Sequence, residues 1–222
     1  MNSQTYRKLV AKNFNQDFNS AVEIIKSPIL QPGDHEILIR NKYAGVNAGF
    51  DTLLCKGKIP YFSETPPLDL GVEAVGTVED VGSKVTKFTV GDAVLTTQRG
   101  GGYREYQRID ARFGFKVPKA TPEVLSLMPT GVSALVALEQ VGMMTSQETV
   151  MVTAAAGGTG HIAIQLAKLA GNHVIGTCGS EAKMQLLQEL GCDRIINYHS
   201  ENVADILQHE YPQGIDLVFE CI

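Results

Sequence analysis

Cysteine is scarce in this 222-residue chain: Cys55, Cys178, Cys192 and Cys221 lie far apart, with no CxxC pair and no histidine at metal-ligand spacing from any of them. That excludes a disulfide framework and the common zinc-ligand patterns, and leaves reduced, mostly structural thiols as the expectation. Positive charge is also short. Nineteen Lys and Arg stand against 24 Asp and Glu, a formal net charge of −5, with the two signs mixed along the chain. No basic stripe is left for a nucleic-acid backbone, so nucleic acid is not an expected partner. No apolar run approaches the ~20 residues that span a bilayer as a helix. The first residues, "MNSQTYRKLVAKNFNQ", lack the basic-then-apolar layout of a signal peptide. A cytoplasmic protein without a membrane partner is expected.

What is present is an ordinary apolar share, 44%, enough for a real core in one large domain or two modest ones. From Arg7 to about Pro118 the chain runs in short β-rich stretches punctuated by glycine and proline: "KLVAK", "AVEII", "EILIRNKYAGVN", "GVEAVGTVEDVG", "GDAVLTT" and "YREYQRI". This spacing predicts a small barrel or sandwich. From about Ala120 the rhythm changes. "PEVLSLMPTGVSALVALEQV" has apolar residues at helical spacing, and beyond it strands and helices alternate: "TVMVTA", residues 160–170, "HVIGTC", residues 180–190, "RIINY", "NVADILQHEY" and "IDLVFECI". Such alternation predicts a parallel α/β sheet, and two domains, 1–119 and 120–222, are expected.

The stretch "VTAAAGGTGHIAIQLAK" joins a buried strand to a helix whose apolar face is expected to comprise Ile162, Ala163, Leu166, Leu169 and Ala170. Between them Ala154, Gly157 and Gly160 form a variant of the dinucleotide-binding GxGxxG spacing. A helix N-terminus offers unpaired N–H groups and a positive dipole end, and glycine lets the backbone approach a pyrophosphate. The turn residues Ala155, Ala156, Gly157, Gly158, Thr159 and Gly160 are therefore candidates for holding a dinucleotide; a plain glycine turn is the alternative. The next strand ends about 20 residues beyond Gly157, where an NAD-preferring fold carries Asp or Glu. Here stand Cys178, Gly179 and Ser180. Ser180 fits a helix N-cap, and Lys183 falls in the first turn, where the dipole disfavours a cation unless an anion is bound. Ser180 and Lys183, with Tyr198 as a wall or hydrogen-bond partner, are assigned to the 2′-phosphate of NADP; an ordinary cap and a solvated lysine are the alternative.

The segments "YAGVNAGFD", "LGVEAVGTVEDVGSKVTKFTVGDAV", "AAAGGTGHIAIQLAK", "VIGTCGSEAK" and "LGCDRIINY" resemble those of the medium-chain dehydrogenase/reductase superfamily, in its zinc-independent quinone oxidoreductase branch. The resemblance runs over essentially the whole chain. It implies a GroES-like N-terminal β-barrel, a Rossmann domain of which about four of six parallel strands are present, NADPH as cofactor, and reduction of quinones or the activated C=C bonds of enones. It also implies a homodimer for the full-length parent. Zinc-dependent relatives carry Cys in the segment matching "GVNAGFD" and His after the glycine of "LGVEAVG"; here stand Asn47 and Asp51 in the first and Val72 in the second, and no cysteine lies within residues 82–118. No metal is expected.

The resemblance further places Asn47 near the nicotinamide ribose and offers Tyr61, in "GKIPYFSETPP", as the donor to a developing enolate. A turn asparagine and an exposed loop tyrosine are the competing readings. Asp51 is expected to cap or pair, and Thr130 either contacts the cofactor or packs a helix. Phe50, Tyr61 and Phe62 hint at an apolar substrate pocket. Because relatives continue well beyond "DLVFECI", the chain is expected to be a fragment with an open apolar strand edge, weak cofactor binding and little activity alone. A non-catalytic nucleotide-binding protein, such as a crystallin, is the competing function.

Overall fold

The strands of the first half of the chain pair antiparallel. The computed structural model describes residues 4–60 and 62–221, and the chain divides into two compact units, Met1–Met128 and Pro129–Ile222. In the first unit β1 (Thr5–Ala11), β2 (Val22–Pro28) and β4 (Leu68–Asp69) form one sheet in the order β2-β1-β4. The strands β3 (Glu36–Ala44), β5 (Ala74–Val81), β6 (Ala93–Thr96), β7 (Tyr106–Asp110) and β8 (Gly114–Lys116) form a curled second sheet, β7-β3-β5-β6-β8. Its interior is filled by Ile37, Ile39, Val78, Phe88, Val94 and Ile109. Where β5 crosses β3, a Cβ on Gly76 would lie 2.2 Å from the Arg40 carbonyl oxygen, so the curl requires glycine there. Two short helices, α1 (Phe18–Ala21) and α2 (Ala48–Cys55), complete this unit together with α3 (Pro122–Ser126), whose Leu125 packs with Val75 and Leu95.

The helical spacing of residues 122–141 does not give one helix. Met128 is extended (φ −138°, ψ 134°), because the ring of Pro129 clashes with a helical residue before it. Helical turns resume beyond it, through α4 (Val132–Leu135) and Val136–Val141.

The second unit is the expected alternation: β9 (Thr149–Val152), α5 (Gly160–Leu169), β10 (His173–Cys178), α6 (Glu181–Glu189), β11 (Arg194–Asn197), α7 (Val203–Glu210) and β12 (Leu217–Phe219). All strand pairs are parallel and the order is β11-β10-β9-β12, which is the first four-strand block of a doubly wound dinucleotide-binding sheet. Both faces are buried: Val150, Val152 and Val174 pack under α5, and Met151, Ile175 and Ile196 under α7. The buried stripe of α5 is Gly160, Ala163, Ile164 and Ala167, not the one expected from hydrophobicity, and Leu169 is 85% exposed. Three of the four residues at these i, i+3, i+4, i+7 positions, Gly160, Ala163 and Ala167, are small, which brings the helix close to the sheet. The helix α7 is capped by Asn202, whose Oδ1 accepts from the N–H groups of Ala204 (3.0 Å) and Asp205 (3.3 Å). Asn202→Ala should cost about 1 kcal/mol, read as a lowered urea midpoint.

Among the described residues β12 is hydrogen-bonded only to β9, and its Val218 is 52% exposed. No helix among the described residues is long and apolar enough to cross a membrane.

Candidate functional site

After β9 the chain is tied down on both sides. The Thr153 N–H donates to the Phe219 carbonyl (3.1 Å) and the Ala155 N–H to the Thr177 carbonyl (2.9 Å). Between them Ala154 adopts φ +42°, and the Gly157 N–H closes a tight turn on the Ala154 carbonyl at 2.8 Å. The helix α5 starts at Gly160, where a Cβ would meet the Ala154 carbonyl oxygen at 2.6 Å and the Ala155 Cα at 2.8 Å. Gly160 is thus demanded by packing. Gly158 differs: a Cβ there would have Thr130 Cγ2, at 3.6 Å, as its neighbour, so the chain itself leaves room. Gly157 and Gly158 are exposed, and among the described residues nothing accepts from the N–H groups of Gly158 or Thr159. Thr159, at the N-cap, makes no side-chain cap bond. Open backbone N–H groups at a helix start suit a phosphate oxygen, and the residues present fit a dinucleotide's pyrophosphate. Ala155 contributes no donor, since its N–H is taken; its Cβ instead lies against Gly176, and Ala156 is half-buried beside it.

At the end of β10, Cys178 is buried and its thiol points to the Ser180 carbonyl at 3.8 Å, a packing role. The Tyr198 N–H donates to the Cys178 carbonyl (3.1 Å), and the Tyr198 ring lies so close on Gly179 that a Cβ there would be 2.5 Å from its hydroxyl. Gly179, Ser180 and Tyr198 are therefore brought together, and Lys183 follows within the first turn of α6. Ser180 holds the N-cap position, but its hydroxyl makes no capping bond; its carbonyl accepts from the N–H groups of Lys183 (3.1 Å) and Met184 (3.0 Å). Lys183 is exposed and has no ion-pair partner among the described residues. Among the described residues the hydroxyl and the ammonium are both uncommitted, which suits a bound phosphate. His199, not anticipated from the sequence, stands edge-on to the Tyr198 ring at 4.8 Å.

In the first unit Asn47 sits at the N-cap of α2 without making a side-chain cap bond. Asp51 caps instead: its Oδ2 accepts the Asn47 N–H at 3.2 Å and the Tyr103 hydroxyl at 2.5 Å. The Asn47 Nδ2 donates to Glu73 Oε1 at 2.9 Å. Asp51 and Glu73 are 3% and 6% exposed, and Asp51 Oδ1 and Glu73 Oε2 have no partner among the described residues. Burial pushes both carboxyls above the usual range, and it pushes the Tyr103 phenol up as well, with the Asp51 hydrogen bond adding to the effect. Glu73 and Tyr103 were missed at the sequence level. The available signal was a lone acid inside the apolar run "LGVEAVG".

Beside Asp51 lies an apolar cavity of about 370 Å³ walled by Leu9, Phe18, Val46, Ala48 and Tyr103 among others. Phe50 and Phe62, expected in a substrate pocket, pack against the core formed by Leu54, Cys55, Leu68 and Leu70, and Phe62 also lines a small pocket with Phe14 and Ile59. Tyr61 lies outside the described residues. Among the described residues no group of three or more His, Cys, Asp or Glu side chains is placed to hold a metal ion.

Two family profiles match the chain: an alcohol dehydrogenase GroES-like domain over residues 33–119 and a zinc-binding dehydrogenase over residues 158–222. The chain is 40% identical over 221 residues to prostaglandin reductase-3 of Mus musculus, covering 99% of this chain and 58% of that protein. It is 38% identical over 220 residues to a probable quinone oxidoreductase of Leishmania amazonensis, covering 98% of this chain and 64% of that protein. The crystal structure of Escherichia coli quinone oxidoreductase complexed with NADPH superposes with a TM-score of 0.78 at 28% identity, over 94% of this chain and 63% of that one. The chain thus spans about three-fifths of the length of the curated relatives it matches.

Proposed function

Because the chain belongs to the medium-chain dehydrogenase/reductase superfamily, its GroES-like half preceding the Rossmann sheet, we propose that it serves the NADPH-dependent reduction of quinones or of the activated C=C bonds of enones, without zinc. The observation that carries this reading is the turn between β9 and α5, with two open N–H groups, beside an uncommitted Ser180 hydroxyl and Lys183 ammonium.

In this reading the N–H groups of Gly158 and Thr159 hold the pyrophosphate at the dipole end of α5, with Thr130 bordering Gly158. Ser180, Lys183 and Tyr198 take the 2′-phosphate at the edge formed by Cys178 and Gly179. Asn47 faces the nicotinamide ribose, and Tyr61 donates to the enolate oxygen. Bound NADPH supplies the hydride. A quinone or enone presents an electron-poor carbon that needs no Lewis acid, and by the family resemblance the segment holding Asn47 and Asp51 lacks the cysteine, and Val72 replaces the histidine, that zinc-dependent relatives carry. Residues 1–119 then act as the GroES-like domain and 120–222 as the nucleotide domain. The same reading carries with it a quinone or enone as small-molecule partner, a homodimer for the whole protein and a cytoplasmic location.

The test is a fluorescence titration with NADPH and NADH. The chain should prefer NADPH, and Lys183→Ala should lower NADPH affinity by about tenfold or more while leaving NADH unchanged, as loss of one charge-assisted bond dictates. Equal NADPH affinity in Lys183→Ala would remove the 2′-phosphate assignment.

A further inference from the structure

Glu73 has no part in the chemistry above, and its burial is unusual for an acid that forms no ion pair among the described residues. Its one side-chain hydrogen-bond partner among the described residues is the amide of Asn47, and the approach is sterically arranged. A Cβ on Gly45 would sit 2.0 Å from Glu73 Oε1 and 2.5 Å from its Cδ, so residue 45 must be glycine for the carboxyl to seat where it does. The Gly45 N–H also donates to the Glu73 carbonyl, at 3.3 Å. The backbone of Asn47 is held from the other side by Asp51, itself anchored by Tyr103. Both the main chain and the side chain of Asn47 are therefore fixed by buried acids.

We infer that Glu73 is a positioning residue for Asn47: by accepting one amide hydrogen it turns the amide oxygen, Oδ1, outward as a fixed acceptor for a hydroxyl of the nicotinamide ribose. This rests on the reading of Asn47 given above. A free carboxamide presents donor or acceptor by a half-turn about its last bond; once Nδ2 is held, that half-turn forfeits the bond to Glu73. Oδ1 accepts nothing from the chain among the described residues, so its lone pairs are left for a ligand donor.

Two readouts test it on the chain as it stands. In the ¹⁵N-labelled protein the Asn47 side-chain amide, identified by its loss in Asn47→Asp, should show one proton slow to exchange. Glu73→Ala should collapse that signal to a free amide, and Glu73→Gln, which keeps an oxygen facing Nδ2, should restore it; Glu73→Leu serves if the alanine variant does not fold. In NADPH titrations Asn47→Ala and Glu73→Ala should each weaken binding about tenfold, Glu73→Gln less than about twofold, and the Asn47→Ala/Glu73→Ala double variant no more than Asn47→Ala alone. An amide signal indifferent to Glu73→Ala overturns the positioning role. Additive losses in the double variant overturn its link to the ligand. Unchanged NADPH binding in Asn47→Ala overturns the ribose reading by itself, because the amide signal still reports the hold of Glu73.

Discussion

Replacing Gly160 by valine should weaken nucleotide binding by more than about a hundredfold, equivalent to losing two charge-assisted hydrogen bonds, and cost about 1–3 kcal/mol of stability through overpacking. The atoms that a Cβ would strike, the Ala154 and Ala155 carbonyl oxygens and the Ala155 Cα at 2.6–2.9 Å, are all backbone, so no side chain can swing aside. The first turn of α5 must lift from the end of β9, and the N–H groups of Gly158 and Thr159 go with it. Gly158→Ala supplies the contrast. Its Cβ meets only ordinary contact at Thr130, so the fold should survive, and any loss of NADPH affinity reports ligand approach alone. Titration and urea unfolding of both variants check this; a Gly160→Val protein that binds NADPH normally would separate the turn from the cofactor.

The second large effect concerns pH. Asp51 and Glu73 are both held above the usual carboxylate range by burial. Between the ordinary value and the raised one the folded chain keeps protons that the unfolded chain has released. Stability therefore falls as pH rises through that window, and the deficit persists above it. An amide has no such proton. Relative to the wild type, Glu73→Gln and Asp51→Asn should thus each gain stability as pH is raised from about 4 to 7, through and beyond the ordinary carboxylate range. The substituted amide oxygens can still accept from Asn47 and Tyr103. Exposed pairs such as Arg7 with Glu105 and Lys84 with Asp34 shift their acids downward and act in the opposite sense, but they cancel in the difference. Urea midpoints at the two pH values decide the matter: a variant-minus-wild-type difference that does not change with pH would sink the prediction. The two gains should not add fully, because the carboxyls influence each other.

The parts of the molecule that local sequence carries were legible. The strand, turn and helix around Gly157 and Gly160 were placed to within a residue or two, since glycine position and apolar period are both short-range signals. Pro129 stood in plain view, yet the apolar spacing on either side of it masked the break at Met128. The buried face of α5 was rotated from expectation because close packing selected Gly160, Ala163 and Ala167 over larger Leu169. Asn47 and Asp51 were named, but what holds them was not. Glu73 lies 26 residues from Asn47 and Tyr103 lies 52 from Asp51, separations at which only the folded chain reveals a contact.

The central place of β9 also bears on the order of assembly. It pairs Thr149 with His173 on one side and Val150 with Leu217 on the other. The first pairing closes a short loop and the second a much longer one, and the entropy lost on closure grows with loop length. The turn proposed for the pyrophosphate lies wholly inside the shorter loop, between β9 and β10. A transient fraying of β12 releases the Thr153 tie to Phe219, while the Ala155 tie to Thr177 and the Gly157 turn on Ala154, both inside the shorter loop, remain.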